Sequence, residues 1–266
     1  MIAVTGATGE VGRRVIARLA EAGAPHRSIV RDASRAAGEF RVASDYGARD
    51  EMAAAFSGAD TVFLVPAAEN ADRVEQHKTA VDAALAAGVP RLVYLSFFGA
   101  APDATFTLAR DHWATEEHIR ATGLAWTFLR MNLYMDFIPN MVGPDGAIRG
   151  PAADGRVSAI LRDDVAAASA AVLTTDGHDA RSYDLTGPSS FSLAEAAALM
   201  DARFEDETDE QAYASRASYD APDWEVRGWV TSYQAIRDGS LAAVSPAVRE
   251  LTGQEPVSLA TYLSGA

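Results

Sequence analysis

The stretch IAVTGATGEVGRRVIARLAEAG, residues 2–23, decides the fold of this 266-residue chain. It opens with a short apolar run typical of a buried strand and continues with apolar residues at helical spacing. Gly6, Gly9 and Gly12 lie between the two at G-x-x-G-x-x-G spacing. Glycines at the turn out of the strand, at the approach to a pyrophosphate and at the helix–sheet contact are typical of a dinucleotide-binding unit.

The same loop indicates which residues meet the dinucleotide. A loop of this kind surrounds a pyrophosphate with main-chain N–H groups and with the positive end of the helix dipole. We therefore expect cofactor contacts from the loop and the first helical turn, at Gly6, Thr8, Gly9, Glu10 and Val11.

Beyond the loop, short apolar runs alternate with helical patterns up to about residue 130. This alternation predicts an α/β Rossmann fold with a doubly wound parallel sheet. The rhythm then gives way to a stretch with several Gly and Pro. We predict a dinucleotide-binding domain over 1–130 and a smaller C-terminal α/β substrate lobe over 131–266, packed closely on it.

Composition excludes several classes of function. The formal net charge of −14 disfavours binding to nucleic acid or to an anionic membrane. The absence of cysteine excludes disulfides and thiolate metal sites, and the five scattered histidines predict no metal site. No apolar run is long enough for a signal-peptide core or a membrane span. We expect a cytoplasmic protein.

The end of the second strand bears on cofactor choice. A carboxylate there favours NAD, and an arginine there can pair with the 2′-phosphate of NADP. The chain has Arg31 followed by Asp32, with Arg35 as a second positive group, so we expect NADP. The alternative is that Asp32 caps a helix and Arg31 is merely solvated.

Two later loops are expected to meet the cofactor. SDYG places Asp45 and Tyr46 after the third strand, where a side chain meets the adenine edge. LVPAA places Val65, Pro66 and Ala67 after the fourth strand, near the nicotinamide ribose. The alternative for both is an ordinary loop role.

Several motifs then carry a family resemblance. They are VTGATGEVG, VRDASRA, SDYGARDEM, AAGVPRLVYLS, DHWATEEHIRATGLAWTFLR, and RDDVAAASAAVL followed by YDLTGP. To about residue 200 the chain resembles atypical short-chain dehydrogenase/reductases of the NmrA-like group, and most of all NADPH-dependent quinone reductases. The resemblance implies a Rossmann domain, a small C-terminal lobe and a substrate cleft between them. Members are either reductases of quinones, azo compounds and related aromatic acceptors, or non-catalytic redox sensors that meet a protein partner.

One constellation of classical members is missing. They use a Tyr and a Lys at i and i+4, so that both face one cleft, with a Ser that orients the carbonyl. Lys78 is the only lysine, and no tyrosine has a lysine four residues later. The sequence therefore disfavours epimerases, dehydratases and alcohol dehydrogenases.

Three residues remain as catalytic candidates. Ser96 ends the fifth strand, where doubly wound sheets bind ligands, and with Phe97 it is expected beside the nicotinamide. His112 matches a histidine that similar quinone reductases carry in the next helix, where Glu117 replaces an expected lysine. The alternative is a core-edge His112 paired with Glu116.

Tyr134 is the third candidate. With Asn132, it follows the sixth strand and is expected to face the cleft. The apolar residues of this segment form either an adaptable wall for a flat acceptor or ordinary core. They are Met131, Met135, Phe137 and Met141.

The missing pair suggests an easily reduced substrate. A quinone accepts hydride readily and collects its proton from water, so positioning matters more than a tuned acid. We predict an enzyme, an NADPH-dependent oxidoreductase acting on a small quinone-like or conjugated aromatic acceptor, as a monomer or homodimer. The alternatives are a non-catalytic NADP-binding redox sensor and a tailoring enzyme of aromatic natural-product biosynthesis.

Overall fold

The computed structural model describes residues 1–265. Its strands are β1 (Ile2–Val4), β2 (His26–Val30), β3 (Phe40–Val42), β4 (Thr61–Leu64), β5 (Arg91–Phe97), β6 (Ala125–Met131), β7 (Ala147–Gly150), β8 (Arg156–Val157), β9 (Arg181–Leu185), β10 (Phe191–Ser192) and β11 (Arg203–Asp206). Its α-helices are α1 (Glu10–Glu21), α2 (Arg49–Phe56), α3 (Arg73–Ala86), α4 (Thr107–Thr122), α5 (Arg162–Thr174), α6 (Leu193–Leu199), α7 (Asp209–Arg216), α8 (Asp223–Arg237), α9 (Ala247–Thr252) and α10 (Leu259–Ser264). Short 3₁₀ helices span Ala33–Arg35, Met135–Met141 and Ala217–Tyr219.

Seven strands form one sheet in the order β3-β2-β1-β4-β5-β6-β9. The pairings from β3 through to β5 are parallel, with Ile2 opposite His26 on one side and Thr61 on the other. The strand order reverses between β1 and β4. Sheets of this kind bind their ligand outside the carboxyl ends of the strands at such a reversal. The predicted Rossmann-type α/β fold is confirmed.

The periodicity of α1 explains how it attaches to the sheet. Val11, Val15 and Leu19, four residues apart, are buried, whereas Arg13 and Ala17 on the opposite face are exposed. A single apolar stripe of this spacing fixes which side of the helix faces the core. The stripe thereby also fixes the direction in which the N-terminus of α1 approaches the glycine loop.

The central strands are buried on both faces. In β5, every residue from Leu92 to Phe97 is buried, which is why its sequence is a nearly continuous apolar run. Tyr94 is wholly buried, together with Phe56 of α2 and Phe128 of β6. Polar groups at the carboxyl end of this strand must therefore find partners inside the protein.

The described residues divide into two compact units. The first comprises 1–97, 111–130 and 165–183, and the second comprises 98–110, 131–164 and the residues from Asp184 onward. A single boundary near residue 130 does not describe this division, because α5 falls in the first unit and 98–110 in the second. The first unit contains most of the seven-stranded sheet.

The second unit has its own small sheets. Strands β7 and β11 pair in parallel, and β8 and β10 pair antiparallel. Helices α6 to α10 belong to this unit. Among residues 1–265, none of the helices has both the length and the apolar character needed to cross a bilayer.

Candidate cofactor and active site

The glycine loop is folded as tightly as its spacing predicts. Gly6 has a positive φ of 58°, and the N–H of Gly9 donates to the carbonyl of Gly6 at 2.9 Å. A Cβ atom on Gly12 would lie 2.1 Å from that same carbonyl oxygen, which no relaxation of a side chain could relieve. The loop and α1 therefore approach each other at a distance that only glycine permits.

The N-terminus of α1 suits an anion. Gly9 is its N-cap and supplies no side chain to cap the first-turn N–H groups. The Glu10 carboxylate accepts hydrogen bonds from Arg13 at 2.7 Å and Arg14 at 2.6 Å, which lower its pKa to about 2. Because its side chain is held by α1's own arginines, Glu10 has only its main chain to offer a pyrophosphate. The same is true of Val11, whose side chain is buried.

Three of the predicted cofactor residues lie together above the ends of β1 and β4. The Tyr46 hydroxyl donates to the carbonyl of Val65 at 2.7 Å, and Val65 packs 3.1 Å from where a Cβ on Gly6 would be. The N–H of Val65 donates to the Thr5 hydroxyl at 2.9 Å, a contact that sequence reasoning missed. Burial raises the pKa of Tyr46, so its hydroxyl stays protonated. These contacts join three loops into one surface.

At the end of β2, the capping role that the alternative interpretation gave to Asp32 is confirmed. Asp32 accepts hydrogen bonds from the Ser34 N–H and hydroxyl at 2.9 and 2.8 Å, which lower its pKa, and it caps the short helix Ala33–Arg35. Arg31 is exposed, and its positive charge is close enough to act on Tyr46. Asp45 is exposed as well and accepts from the N–H of Gly47 at 2.7 Å.

The Ser96 side chain forms a hydrogen bond inside the protein. Its hydroxyl donates to Glu116 at 2.6 Å, and neither side chain has any exposed surface. Glu116 also accepts from Arg130 at 2.8 and 2.6 Å and from Arg120 at 3.0 Å. Because the whole residue is enclosed, neither the side chain nor the main chain of Ser96 has surface on which to meet a cofactor or substrate. Phe97, also buried, packs beside the ring of His112.

His112 is buried and uncharged. Its Nδ1 lies 2.9 Å from the Tyr94 hydroxyl and its Nε2 lies 3.4 Å from an amino group of Arg73. Burial, and then the charge on Arg73 and the neighbouring His77 ring, hold its pKa well below 6.5. The alternative pairing of His112 with Glu116 is wrong, because the Glu116 carboxylate faces Ser96 and two arginines instead. His112 is thus a poor source of a proton at neutral pH.

A buried polar network around His112 was missed by sequence reasoning. Its members are Arg73 and His77 on α3, Tyr94 on β5, and Asp111, His112 and Thr115 on α4. Arg73 and His77 stand at i and i+4, as Asp111 and Thr115 do, so each pair shares one helix face. That matched spacing was the available signal. Lys78 lies outside the network and pairs with Glu75.

The segment after β6 belongs to the second unit. Its two expected cleft residues, Asn132 and Tyr134, differ in their exposure. The Asn132 side chain is wholly buried and donates to the Ser158 hydroxyl at 2.9 Å and to the carbonyl of Leu241 at 3.0 Å. The expectation that Asn132 faces a cleft is wrong. Tyr134 is partly exposed, and the Arg162 guanidinium lies 4.0 Å from its ring centre.

The apolar residues of this segment do not form a single wall. Met131 and Met135 are buried in the core, whereas Phe137 is 53% exposed. Within residues 1–265, no group of three or more His, Cys, Asp or Glu side chains could hold a metal ion.

Comparison with known proteins agrees with this geometry. Residues 6–176 match a family described as NAD(P)H-binding. The chain belongs to this NAD(P)H-binding family. It is 36% identical to a (4-alkanoyl-5-oxo-2,5-dihydrofuran-3-yl)methyl phosphate reductase of Streptomyces griseus, over 96% of this chain and 93% of that enzyme. It is 30% identical to an NAD(P)H azoreductase of Xenophilus azovorans, over 98% and 96%.

The structure of an Escherichia coli NADPH-dependent quinone oxidoreductase in complex with NADPH is also similar. It superposes with a TM-score of 0.91 and 29% identity, covering 100% of this chain and 99% of the other. The predicted resemblance to quinone reductases and the predicted NAD(P)H binding are confirmed. As a member of this NAD(P)H-binding family with reductases as its relatives, the chain is an oxidoreductase, as predicted.

Proposed function

We propose that this oxidoreductase uses NADPH to reduce a conjugated, electron-poor acceptor of the quinone type. The observation that carries the proposal is the state of the polar side chains at the carboxyl end of β5. The Ser96 hydroxyl donates its hydrogen bond to Glu116, and His112 is buried and neutral. With no Tyr–Lys pair in the sequence either, the protein suits an acceptor that needs positioning more than proton donation.

The chain's own residues account for binding of the cofactor. The glycine loop and the uncapped turn of α1 receive the pyrophosphate, and Arg31 pairs with the 2′-phosphate, which favours NADPH over NADH. Once bound, the nicotinamide supplies a hydride. Val65 and Pro66, directly after β4, would hold the nicotinamide half of the cofactor.

Known acceptors of the relatives share one chemical feature. Quinones, azo compounds and the dihydrofuran substrate named for the S. griseus enzyme all present a double bond within a conjugated system that contains a heteroatom able to take up the electrons. Hydride adds to one end of such a system, the electrons move to the far heteroatom, and water delivers the proton there. We assign Tyr134, with Arg162 against its ring, to contact with this acceptor.

The test is NADPH oxidation with a panel of acceptors: a naphthoquinone, an azo dye, an acyl-substituted unsaturated lactone with a phosphate group, and an unactivated ketone. We expect turnover with at least one conjugated acceptor, faster with NADPH than with NADH, and none with the ketone. Gly12→Ala, whose added Cβ clashes with Gly6, is the matched inactive control. Tight NADP⁺ binding without turnover of any acceptor would instead support the redox-sensor alternative.

We also propose that the protein works in the cytoplasm as a monomer or homodimer. The absence of cysteine and the strongly acidic composition support this. Light scattering on the purified protein gives the oligomeric state, and fractionation of the source cells gives the location. A larger assembly, or recovery in the membrane fraction, would contradict it.

A further inference from the structure

The backbone of Ala67, three residues beyond β4, is held by two buried side chains of α3. Its N–H donates to Nε2 of His77 at 2.9 Å, and its carbonyl accepts from Nε of Arg73 at 3.2 Å. His77 has no exposed surface and Arg73 is 6% exposed. Most loop peptides bond to water or to neighbouring main chain. The N–H and the carbonyl of Ala67, which belong to two successive peptide groups, are instead both bound by side chains from one face of α3.

The position of Ala67 in the fold is significant. Strand β4 stands next to β1 at the point where the strand order reverses. Two residues before Ala67, Val65 packs against Gly6 of the glycine loop. Ligands of doubly wound sheets lie at this reversal, beyond the carboxyl ends of the strands. The Ala67 backbone is therefore next to the region that a dinucleotide must cross.

The protonation state of His77 suits this role. Burial, with the nearby charge on Arg73, lowers its pKa to about 3, so the ring is neutral at physiological pH. Because Nε2 accepts from Ala67, Nδ1 carries the proton and donates to the Thr115 hydroxyl at 3.0 Å. That hydroxyl in turn donates to the carbonyl of Asp111 at 2.9 Å. The ring is fixed from both sides.

The burial of the Arg73 guanidinium costs desolvation free energy. One of its amino groups is buried without a hydrogen-bond acceptor among the described residues, and lies 3.7 Å from the carboxylate of Asp111. The other reaches Nε2 of His112 only at 3.4 Å. A buried guanidinium with incomplete partners does not maximise stability, since an apolar side chain would avoid the desolvation. What the guanidinium does supply is a charged Nε–H donor directed at the Ala67 carbonyl.

We propose that Arg73 and His77 are positioning residues that hold the Ala67 backbone in place for the nicotinamide half of the cofactor. They act through the β4–α3 loop and need not touch the cofactor themselves. The inference rests on the NADPH-dependent function proposed above. It assigns α3 a part in cofactor geometry that neither the glycine loop nor the missing Tyr–Lys pair indicates.

The test compares two ligands by calorimetry. NADP⁺ carries both halves of the cofactor, whereas adenosine 2′,5′-bisphosphate keeps the adenine and the 2′-phosphate and lacks the nicotinamide. In His77→Leu, which removes the acceptor at similar volume, NADP⁺ should bind about tenfold more weakly and the bisphosphate should change less than about twofold. His77→Gln, whose amide oxygen can still accept from Ala67, should recover most of the NADP⁺ affinity.

Equal weakening of both ligands in His77→Leu, or no recovery in His77→Gln, would overturn the proposal. If His77→Leu does not fold, Thr115→Val decides instead. It removes the hydroxyl that orients His77 and should weaken NADP⁺ alone. Binding is measured without turnover, so a failure of the acceptor panel would count against the proposed function and leave this test intact.

Discussion

The hydroxyl of Ser96 donates a 2.6 Å hydrogen bond to the carboxylate of Glu116, and both side chains are completely buried. Arg120 and Arg130 donate hydrogen bonds to the same carboxylate. The contact joins the end of β5 to the middle of α4 and, through Arg130, to β6. A serine expected from its position to face the reaction is thus part of the framework that holds the sheet edge together.

We expect Ser96→Ala to lower the free energy of unfolding by about 1 kcal/mol, because Glu116 keeps its arginine partners. Glu116→Gln should cost about 2–3 kcal/mol, less than for a fully buried pair because Arg120 and Arg130 are partly exposed. Urea unfolding measures both. A large loss of kcat in Ser96→Ala with unchanged stability would contradict this structural role.

Gly12→Ala should weaken NADP⁺ binding by more than about tenfold and lower stability by about 1–3 kcal/mol, because its Cβ would lie 2.1 Å from the carbonyl oxygen of Gly6. Gly23→Ala at the far end of α1 is the matched control. Gly23 has a positive φ of 65° and no atom near its missing Cβ. That variant should lose about 1 kcal/mol of stability and keep its affinity for NADP⁺. Similar binding losses in both would mean that α1 matters only for stability.

Arg31→Ala should weaken NADPH roughly tenfold to a hundredfold and NADH by less than about twofold, since only NADPH carries the 2′-phosphate. Arg31 is exposed, so the folded state should lose little stability. Fluorescence titration with each cofactor gives the two affinities. Arg35→Ala, in the short helix that follows, should show a smaller effect of the same kind. Equal losses for NADPH and NADH would exclude Arg31 as the reader of the phosphate.

Stability should fall with acidification because of His77. Its folded-state pKa of about 3 lies below the ordinary 6.5. Below pH 6.5, His77 therefore takes up a proton in the unfolded chain but stays neutral in the folded chain, which favours unfolding. This contribution to stability is complete above pH 6.5 and is lost as the pH falls toward 3. Between about pH 7.5 and 5.5, the loss in the free energy of unfolding amounts to about 1.4 kcal/mol.

His77→Gln has no such titration, so its free energy of unfolding should change less over that interval, by about the same 1.4 kcal/mol. Urea unfolding of both proteins at the two pH values is the measurement. His112, whose pKa is also lowered, should leave the variant with some residual acid sensitivity. Identical pH dependence in the two proteins would show that His77 is not held neutral.

The sequence by itself determined the features that depend on neighbouring residues. The spacing of Gly6, Gly9 and Gly12 predicted the loop, because a strand, a tight turn and a helix follow one another within a single unit. Alternating apolar runs and helical patterns predicted the parallel sheet. The single lysine excluded a Tyr–Lys pair at i and i+4, since the residue four positions before Lys78 is Val74 and not a tyrosine.

Only the tertiary structure decided which buried groups are partners. His112 and Glu116 share a face of α4 at i and i+4, yet Glu116 binds Ser96 from β5 and His112 meets Tyr94 and Arg73 from β5 and α3. Helical spacing shows which residues share one face of a helix, but it does not show which residues of other elements pack against that face. A buried polar group takes its hydrogen bond from whichever element packs against it, and that element is remote in the sequence.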